Sequence, residues 1–325
     1  MTVNAIQIHQ TGGIDVLRWE KIEIGEPAAH QIRIRHTAIG LNYIDVYFRM
    51  GLYKPAAYPF IPGMEAAGVV EAVGAAVTDL HVGDRVAYGA TLGAYTEARV
   101  IDAERVVKIP DGISDQTAAA MMLKGMTAQY LLRQTYPVKA GDTILFHAIA
   151  GGVGLIACQW AKKLGVTVIG TVGSAEKAEL AKAYGCDYPI IYTKENFVTR
   201  VKELTNGKGV PVVYDSVGQD TFMQSLDCLQ PMGTIVSFGQ SSGSVPPLDI
   251  GILSAKGSLF LTRPTLMSYT ASRQQLLTCT DDLFAVVQSG DVKIDVNQIF
   301  SLKDAGKAHA ALETRQTTGS TVLLP

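Results

Sequence analysis

The stretch "LFHAIAGGVGLIACQWAKKLG", residues 145–165, runs an apolar strand into the turn Ala148-x-x-Gly151-Gly152-Val153-Gly154 and then directly into a helix. Glycines at this spacing let a backbone turn sharply and approach a diphosphate with no Cβ in the way. The helix start adds free N–H groups and the positive end of a dipole. The chemistry implied is nucleotide binding, through a variant of the usual G-x-G-x-x-G pattern. A second signal follows about 20 residues on, where NAD-binding chains place Asp or Glu to hold the ribose 2′-hydroxyl. Here "VTVIGTVGSAEK" (166–177) ends its strand at Thr171-Val172 and continues Gly173-Ser174, without a carboxylate. The Ser174 hydroxyl, the turn at Gly173 and the Lys177 ammonium suit a 2′-phosphate, and Tyr192, ending the third strand, could reach the same region. Glu176 beside Lys177 argues the other way, but NADPH is the expected cofactor.

Such a site needs a sheet behind it. From residue 142 the chain alternates strands and helices: "DTILFHA", "VTVIGTV", "YPIIY", "VPVVYDSVG" and "GTIVSFG" are separated by "GVGLIACQWAKKLG", "SAEKAELAKAYG", "ENFVTRVKELT" and "DTFMQSLDCLQ". Alternation with helices of this length implies right-handed crossovers and a parallel, doubly wound sheet covered on both faces. Before it, "QIRIRHTAIG", "AAGVVEAVG", "GDRVAYG" and "TEARVI" are short alternating or β-branched runs punctuated by Gly, Pro and Asp, so residues 1 to about 120 read as β-rich. "SDQTAAAMMLKGMTAQYLLRQT" (114–135) predicts the connecting helix, with Ser114 or Asp115 as N-cap. A helix starting near Ser272 and a last strand, "STVLLP", have the β-rich part as their natural host, which makes that domain discontinuous.

Bulk properties narrow the class. With 325 residues, 47% hydrophobic and 18% charged, the chain has material for two ordinary domains and is no disordered polymer. A formal charge of -2 gives no electrostatic case for nucleic acid or an anionic membrane as partner. The N-terminus "MTVNAIQIHQTGG" lacks the basic start and apolar stretch of a secretory signal, so a cytoplasmic location is expected. Cys158, Cys186, Cys228 and Cys279 are widely spaced and form neither a disulfide framework nor a zinc pattern.

Taken together, the layout resembles the medium-chain dehydrogenase/reductase superfamily over essentially the whole length. The fold this implies is α/β: a GroES-like β-rich catalytic domain (1–123), a doubly wound parallel-sheet Rossmann domain binding NADPH (124–262), and a return to the catalytic domain (263–325). Zinc alcohol dehydrogenases of that superfamily carry G-H-E-x-x-G, whose His binds the catalytic metal. This chain has Gly63-Met64-Glu65-Ala66-Ala67-Gly68, with Gly74 and Val77 following as the motif expects. Asn42, in "GLNYIDVYFRMGLY", stands in the region of the upstream Cys ligand. No cysteine precedes Cys158, so the four-cysteine lobe of the zinc enzymes is missing too. Zinc wants three N, S or carboxylate ligands and an open position, and six histidines scattered at 9, 30, 36, 81, 147 and 309 show no paired spacing. A metal-free member is expected.

"LNYIDVYFRMGLY", "HAIAGGVGLIACQWAKKLG", "VVYDSVG", "SLDCLQ", "SFGQSSG" and "SLFLTRP" together resemble the quinone oxidoreductase branch, related to ζ-crystallin and above all to the bacterial enzymes. An alcohol dehydrogenase needs zinc to polarise a carbonyl, whereas a quinone is already electron-poor. Positioning then does most of the catalysis. The resemblance implies that Asn42 and Asp45 lie at the nicotinamide end of a cleft between the domains. Tyr47 and Tyr53 would line the quinone pocket, with Ile44 and Met64 as apolar walls. Thr127, Tyr130 and Lys124 would face the cofactor, and Gly152 and Val153 would bound the pyrophosphate. Ser216 and the segment Phe238-Gly239-Gln240-Ser241 come at carboxyl ends of strands, where doubly wound folds bind ligands. Arg263 would make a contact at the cleft, which places it with Asn42, Asp45, Tyr47 and Tyr53 among the catalytic candidates; Arg315 could reach the cofactor. Relatives pair the sheet edge near "GTIVSFG" and "SLFLTRP" across a two-fold axis, so a homodimer is expected. Two other activities stay open: a reductase of α,β-unsaturated ketones or aldehydes, and a nucleotide-binding structural or regulatory protein.

Overall fold

Along Gln31–Leu41 the two-residue period of a strand is plain: Ile32, Ile34 and His36 are buried while Arg35 and Thr37 face outward. The computed structural model, which describes residues 1–325, makes this strand the centre of a seven-stranded sheet. In spatial order the sheet runs Val296–Ser301, Ser320–Leu324, Gln31–Leu41, Glu65–Val73, Arg85–Gly89 and Val107–Lys108, with Ala98–Asp102 also paired to Gln31–Leu41. The last strand of the chain pairs with one of the first, Val322 opposite Gly40. The end of the chain therefore completes a fold begun at its start. Ile6, Ile32, Ile34, Tyr88, Tyr95, Leu302 and Leu323 fill the core.

The other sheet has six strands in the order Tyr188–Ile191, Thr167–Val172, Thr143–Phe146, Val210–Asp215, Leu229–Ser237 and Phe260–Thr262. Every neighbouring pair is parallel. Numbered within this sheet the order is 3-2-1-4-5-6, so the strand order reverses beside Thr143–Phe146. The Gly-rich turn leaves the end of that same strand. Leu145, Ile169, Ile190, Val213 and Ile235 lie in its core.

Contacts gather Met1–Met126, Thr270–Gln288 and Ile294–Pro325 into one unit and Thr127–Tyr269 with Ser289–Lys293 into the other. Residues 263–269, which the sequence grouped with the returning segment, stay with the parallel sheet for identifiable reasons. Arg263 donates to the carbonyls of Ser237 and Gly239, and Tyr269 stacks on Tyr130 at 4.5 Å and bonds Thr135. The helix expected over 220–230 is only a turn at Phe222–Ser225 and a 3-10 turn at Leu226–Cys228. Leu229 is already in strand, opposite Val210, so sheet pairing overrides helical propensity there. The long connecting helix Asp115–Tyr130 continues as a π-helix through Leu131–Thr135.

Candidate active site

"NYIDVYFRM" forms a helix, Tyr43–Met50, that begins at Asn42 in extended conformation and ends at Gly51, whose φ of 82° is left-handed. Asn42 and Asp45 meet at its start: the Asp45 Oδ2 accepts the Asn42 N–H at 2.9 Å, an N3 carboxylate reaching back to its cap residue. The same oxygen accepts the Tyr95 hydroxyl at 3.0 Å, and Oδ1 has no partner. Asp45 is wholly buried, and burial pushes its carboxyl up to about 7 against the hydrogen bonds from Asn42 and Tyr95. Asp45 acts here on Asn42 rather than at a surface.

The Asn42 side chain is held just as firmly. Its Nδ2 donates to Glu65 Oε1 at 2.8 Å. Lys124 Nζ reaches the same oxygen at 2.5 Å, and the Leu123 N–H donates to Oε2 at 2.6 Å. Glu65 and Lys124 are 0% and 5% exposed, so this is an internal ion pair with its remaining oxygen satisfied. Lys124, expected to face the cofactor, is bound to Glu65 instead. Glu65 is the residue that motif reading underrated: in "GMEAAG" attention goes to the altered Met64, while Glu65 gathers the Asn42, Leu123 and Lys124 contacts. Met64 itself is 3% exposed and packed into the interior.

Around the helix lies a group of aromatic rings. Tyr47 packs at 5.4 Å from Tyr43 and edge-on to Tyr53 at 5.3 Å; Phe48 meets Tyr53 at 5.7 Å and Phe60 at 6.4 Å. Tyr47 is buried, Tyr53 and Ile44 are half-buried, and Arg315 is exposed. Arg315 acts electrostatically on Tyr43, whose hydroxyl burial holds above its ordinary range. The structure thus brings together Asn42, Asp45, Tyr47 and Tyr53 on or beside one helix.

In the parallel-sheet unit the helix Gly152–Lys163 has Gly151 as its N-cap, with no side chain bonded to the cap. Its first-turn N–H groups, at Gly152 and Val153, are left for an anion. Gly154 is obligatory, because a Cβ there would stand 2.4 Å from the Ile149 carbonyl oxygen and 2.6 Å from that of Ala148. Ser174 caps the next helix, Ala175–Ala183, accepting the Lys177 N–H at 3.3 Å. Tyr192 lies so close over Gly173 that a Cβ there would come within 2.9 Å of its hydroxyl. Gly173, Ser174, Lys177 and Tyr192 are therefore neighbours at the end of the second strand. An uncapped helix start and a carboxylate-free strand end fit the pyrophosphate and 2′-phosphate of NADPH.

The other residues singled out from sequence lie in this unit too. Thr127 and Tyr130 are buried on the connecting helix. Ser216 follows Val210–Asp215, and Gly239 sits against it so closely that a Cβ there would come within 2.6 Å of the Ser216 carbonyl oxygen. Phe238 packs on Phe146 at 5.6 Å. Arg263 braces this turn from beneath, through Ser237 and Gly239 at 2.9 and 2.8 Å. Asp215, not singled out, is buried and ties its loop through the Val217 and Gly218 N–H groups and the Thr221 hydroxyl.

A GroES-like β-rich unit and a 3-2-1-4-5-6 sheet with this turn define a medium-chain dehydrogenase/reductase. The match is explicit: residues 28–111 fit the alcohol dehydrogenase GroES-like domain and residues 152–282 the zinc-binding dehydrogenase family. The chain is 55% identical to a quinone oxidoreductase of Pseudomonas aeruginosa, over 98% of this chain and 99% of that protein. A crystal structure of Escherichia coli quinone oxidoreductase complexed with NADPH superposes with a TM-score of 0.98 at 49% identity, over 99% of this chain and 100% of that one. A 2-haloacrylate reductase of Burkholderia is 46% identical over 99% of both chains. The chain belongs to the quinone oxidoreductase family.

The second family's description names zinc, yet Met64 and Asn42 offer no imidazole or thiolate, and both Glu65 oxygens are already bonded within the protein. Nowhere are three or more His, Cys, Asp or Glu side chains gathered as a metal cluster. No helix is long and apolar enough to cross a membrane.

Proposed function

We propose that the protein is an NADPH:quinone oxidoreductase that works without a metal. The observation that carries the mechanism is the Glu65–Lys124 pair: the carboxylate of the "GMEAAG" segment is neutralised by a resident ammonium, and its oxygens are taken up by the Asn42 amide and the Leu123 N–H. A carboxylate closed in this way is not free to hold a Lewis acid against a carbonyl, so the site suits an acceptor that arrives electron-poor. When bound, NADPH supplies reducing equivalents from C4 of its nicotinamide. The chain's own part is binding and orientation. The N–H groups of Gly152 and Val153 take the pyrophosphate, and Ser174, Lys177 and Tyr192 beside Gly173 take the 2′-phosphate. Thr127, Tyr130, Ser216, Phe238, Gly239, Ser241, Arg263 and Arg315 complete the cofactor contacts. Asn42 orients the nicotinamide end, and Tyr47 and Tyr53 offer π-faces and hydroxyls to the quinone, beside Ile44 and Met64.

A second reading, an α,β-unsaturated acceptor, is favoured by the similarity to a 2-haloacrylate reductase, since such an acceptor is also an electrophile needing no zinc. Steady-state oxidation of NADPH with 1,4-naphthoquinone, a 2-alkenone and 2-chloroacrylate in parallel separates the two. Turnover of the quinone at the highest kcat/KM is expected, and turnover of the unsaturated carbonyl compounds alone overturns the reading.

A homodimer and a cytoplasmic location belong to the same proposal. Phe260–Thr262 is an edge strand of the parallel sheet, with Phe260 62% and Leu261 40% exposed, which supports pairing with a second copy. All four cysteines are free, as a reducing compartment would keep them. Light scattering on the purified protein tests the dimer through its mass.

A further inference from the structure

Two helices of the first unit each present polar side chains one turn apart. Asp45 and Arg49 lie on Tyr43–Met50; His309 and Glu313 lie on Ala305–Glu313. Arg49, 1% exposed, donates to both Glu313 oxygens at 2.8 and 2.7 Å and to His309 Nδ1 at 3.2 Å. The Tyr95 hydroxyl stands 3.0 Å from His309 Nε2 and 3.0 Å from Asp45 Oδ2.

The direction of this chain is forced. A guanidinium only donates, so His309 Nδ1 must accept. Burial and the Arg49 charge hold His309 neutral, at about 3, so its proton sits on Nε2. That N–H donates to the Tyr95 oxygen, and the Tyr95 proton is left for Asp45. Tyr95 cannot drift: its N–H donates to the Pro62 carbonyl at 2.9 Å and its own carbonyl accepts from Ile6 at 2.8 Å. Its ring lies on Gly63, where a Cβ would come within 2.3 Å and φ is +92°. The first glycine of "GMEAAG" is there to admit that ring.

We propose that Tyr95, His309, Arg49 and Glu313 are positioning residues for the reaction: their chain of donors locks Asp45 onto the Asn42 N–H and so sets the amide at the nicotinamide end. This rests on the reading of Asn42 given above. Asn42 is then gripped from two sides, by Asp45 on its backbone and by Glu65 on its amide. Among the groups facing Asp45, Glu65 and Lys124 are paired with each other, Arg49 is paired with Glu313, and Tyr95 is the neutral donor. A change at Tyr95 therefore falls on Asp45.

The histidine ring nitrogens of the NADPH-loaded wild-type protein, read by nitrogen–proton correlation NMR and with His309 assigned through His309→Gln, give a direct test. Neutral Nε2–H is expected at His309. The opposite tautomer is expected at His36, whose Nδ1 donates to the Thr96 carbonyl at 2.7 Å. An imidazolium or Nδ1–H at His309 overturns the proposal. In kinetics, Tyr95→Phe keeps the ring and removes one donor. We expect kcat with 1,4-naphthoquinone to fall about tenfold and KM to change less than about twofold. The pH dependence of kcat that follows protonation of Asp45, which weakens its hold on the Asn42 N–H, should move upward because a donor to the carboxylate is lost. Parent kcat with an unmoved profile overturns the proposal. Should Tyr95→Phe not fold, His309→Gln, which retains an N–H for Tyr95, is compared with His309→Leu. Rescue by Gln supports the chain, and equal rates refute it. A parent that turns over no quinone would sink the functional reading, while the tautomer measurement would still decide this one.

Discussion

Gly151 and Asn42 both stand where an extended segment gives way to a helix, and the two helix starts are finished in opposite ways. At Gly151 no side chain caps the helix, which leaves the N–H groups of the first turn for the proposed pyrophosphate. At Asn42 the cap N–H is closed by Asp45, the amide is bound to Glu65, and every partner is buried. One start is open and made of backbone; the other is sealed and made of side chains. An anion of fixed shape can be met by N–H groups alone. A reacting ring must be held to within a fraction of an ångström, which calls for side chains that are themselves immobilised.

The open end breaks by a single side chain. Gly154→Val should abolish NADPH binding, raising Kd more than about a hundredfold, because its side chain collides with the carbonyls of Ala148 and Ile149 and distorts the turn. Calorimetric titration with NADPH measures it; binding within a few-fold of the parent would show that the turn is not the phosphate site.

The sealed end breaks by losing a charge partner. Glu65→Ala leaves Lys124 buried and uncompensated, at a cost of about 3–5 kcal/mol and a Tm lower by roughly 10 °C. Removing both charges together, Glu65→Met with Lys124→Met, should recover much of the stability but little activity, since no carboxylate acceptor is then left for the Asn42 amide. A double variant with parent kcat would mean the pair is purely structural.

Asp45 sharpens the contrast through pH. Its carboxyl is raised by burial to about 7 from 3.8. Below about pH 4 folded and unfolded chains both hold the proton; between there and pH 7 only the folded chain keeps it. Stability from this group is therefore lost as pH rises across that window. His36 and His309, lowered by burial to about 3 from 6.5, act in the opposite sense: their contribution is full above pH 6.5 and is lost as pH falls. Asp45→Asn should gain on the parent by a few kcal/mol (order of magnitude) between pH 4 and 7. Urea unfolding at a series of pH values reads the difference, and a constant offset would refute the assignment.

The smallest effect belongs to the 2′-phosphate end. Lys177→Ala should weaken NADPH about tenfold and leave NADH nearly unchanged, the loss of one charge-assisted contact. An equal loss for both cofactors would place Lys177 elsewhere.

These two ends also differ in how far a linear reading reaches. The Gly-rich turn, the missing carboxylate after Val172 and the strand–helix alternation are local, and each was legible because backbone geometry within a few residues dictates residue type. The short turns at Phe222–Cys228 were not, because pairing of Leu229 with Val210 decided them from outside the segment. Glu65, Tyr95 and His309 escaped notice for the same reason. "HAALE" and "IDVYFRM" carry the one-turn spacings of His309–Glu313 and Asp45–Arg49, but such spacings are common on surface helices and say nothing until the helices meet.

By itself, then, the sequence determined the family, the parallel sheet, the nucleotide turn and the loss of metal-ligand residue types at 42 and 64, since all are written in neighbouring residues. Only the tertiary structure decided that Glu65 is neutralised by Lys124 and that Asp45 is reached through Tyr95 from His309. Those bonds join residues tens to hundreds of positions apart. Burial, which raises the value of each hydrogen bond and the cost of each unpaired charge, is a property of the assembled core and of no segment in it.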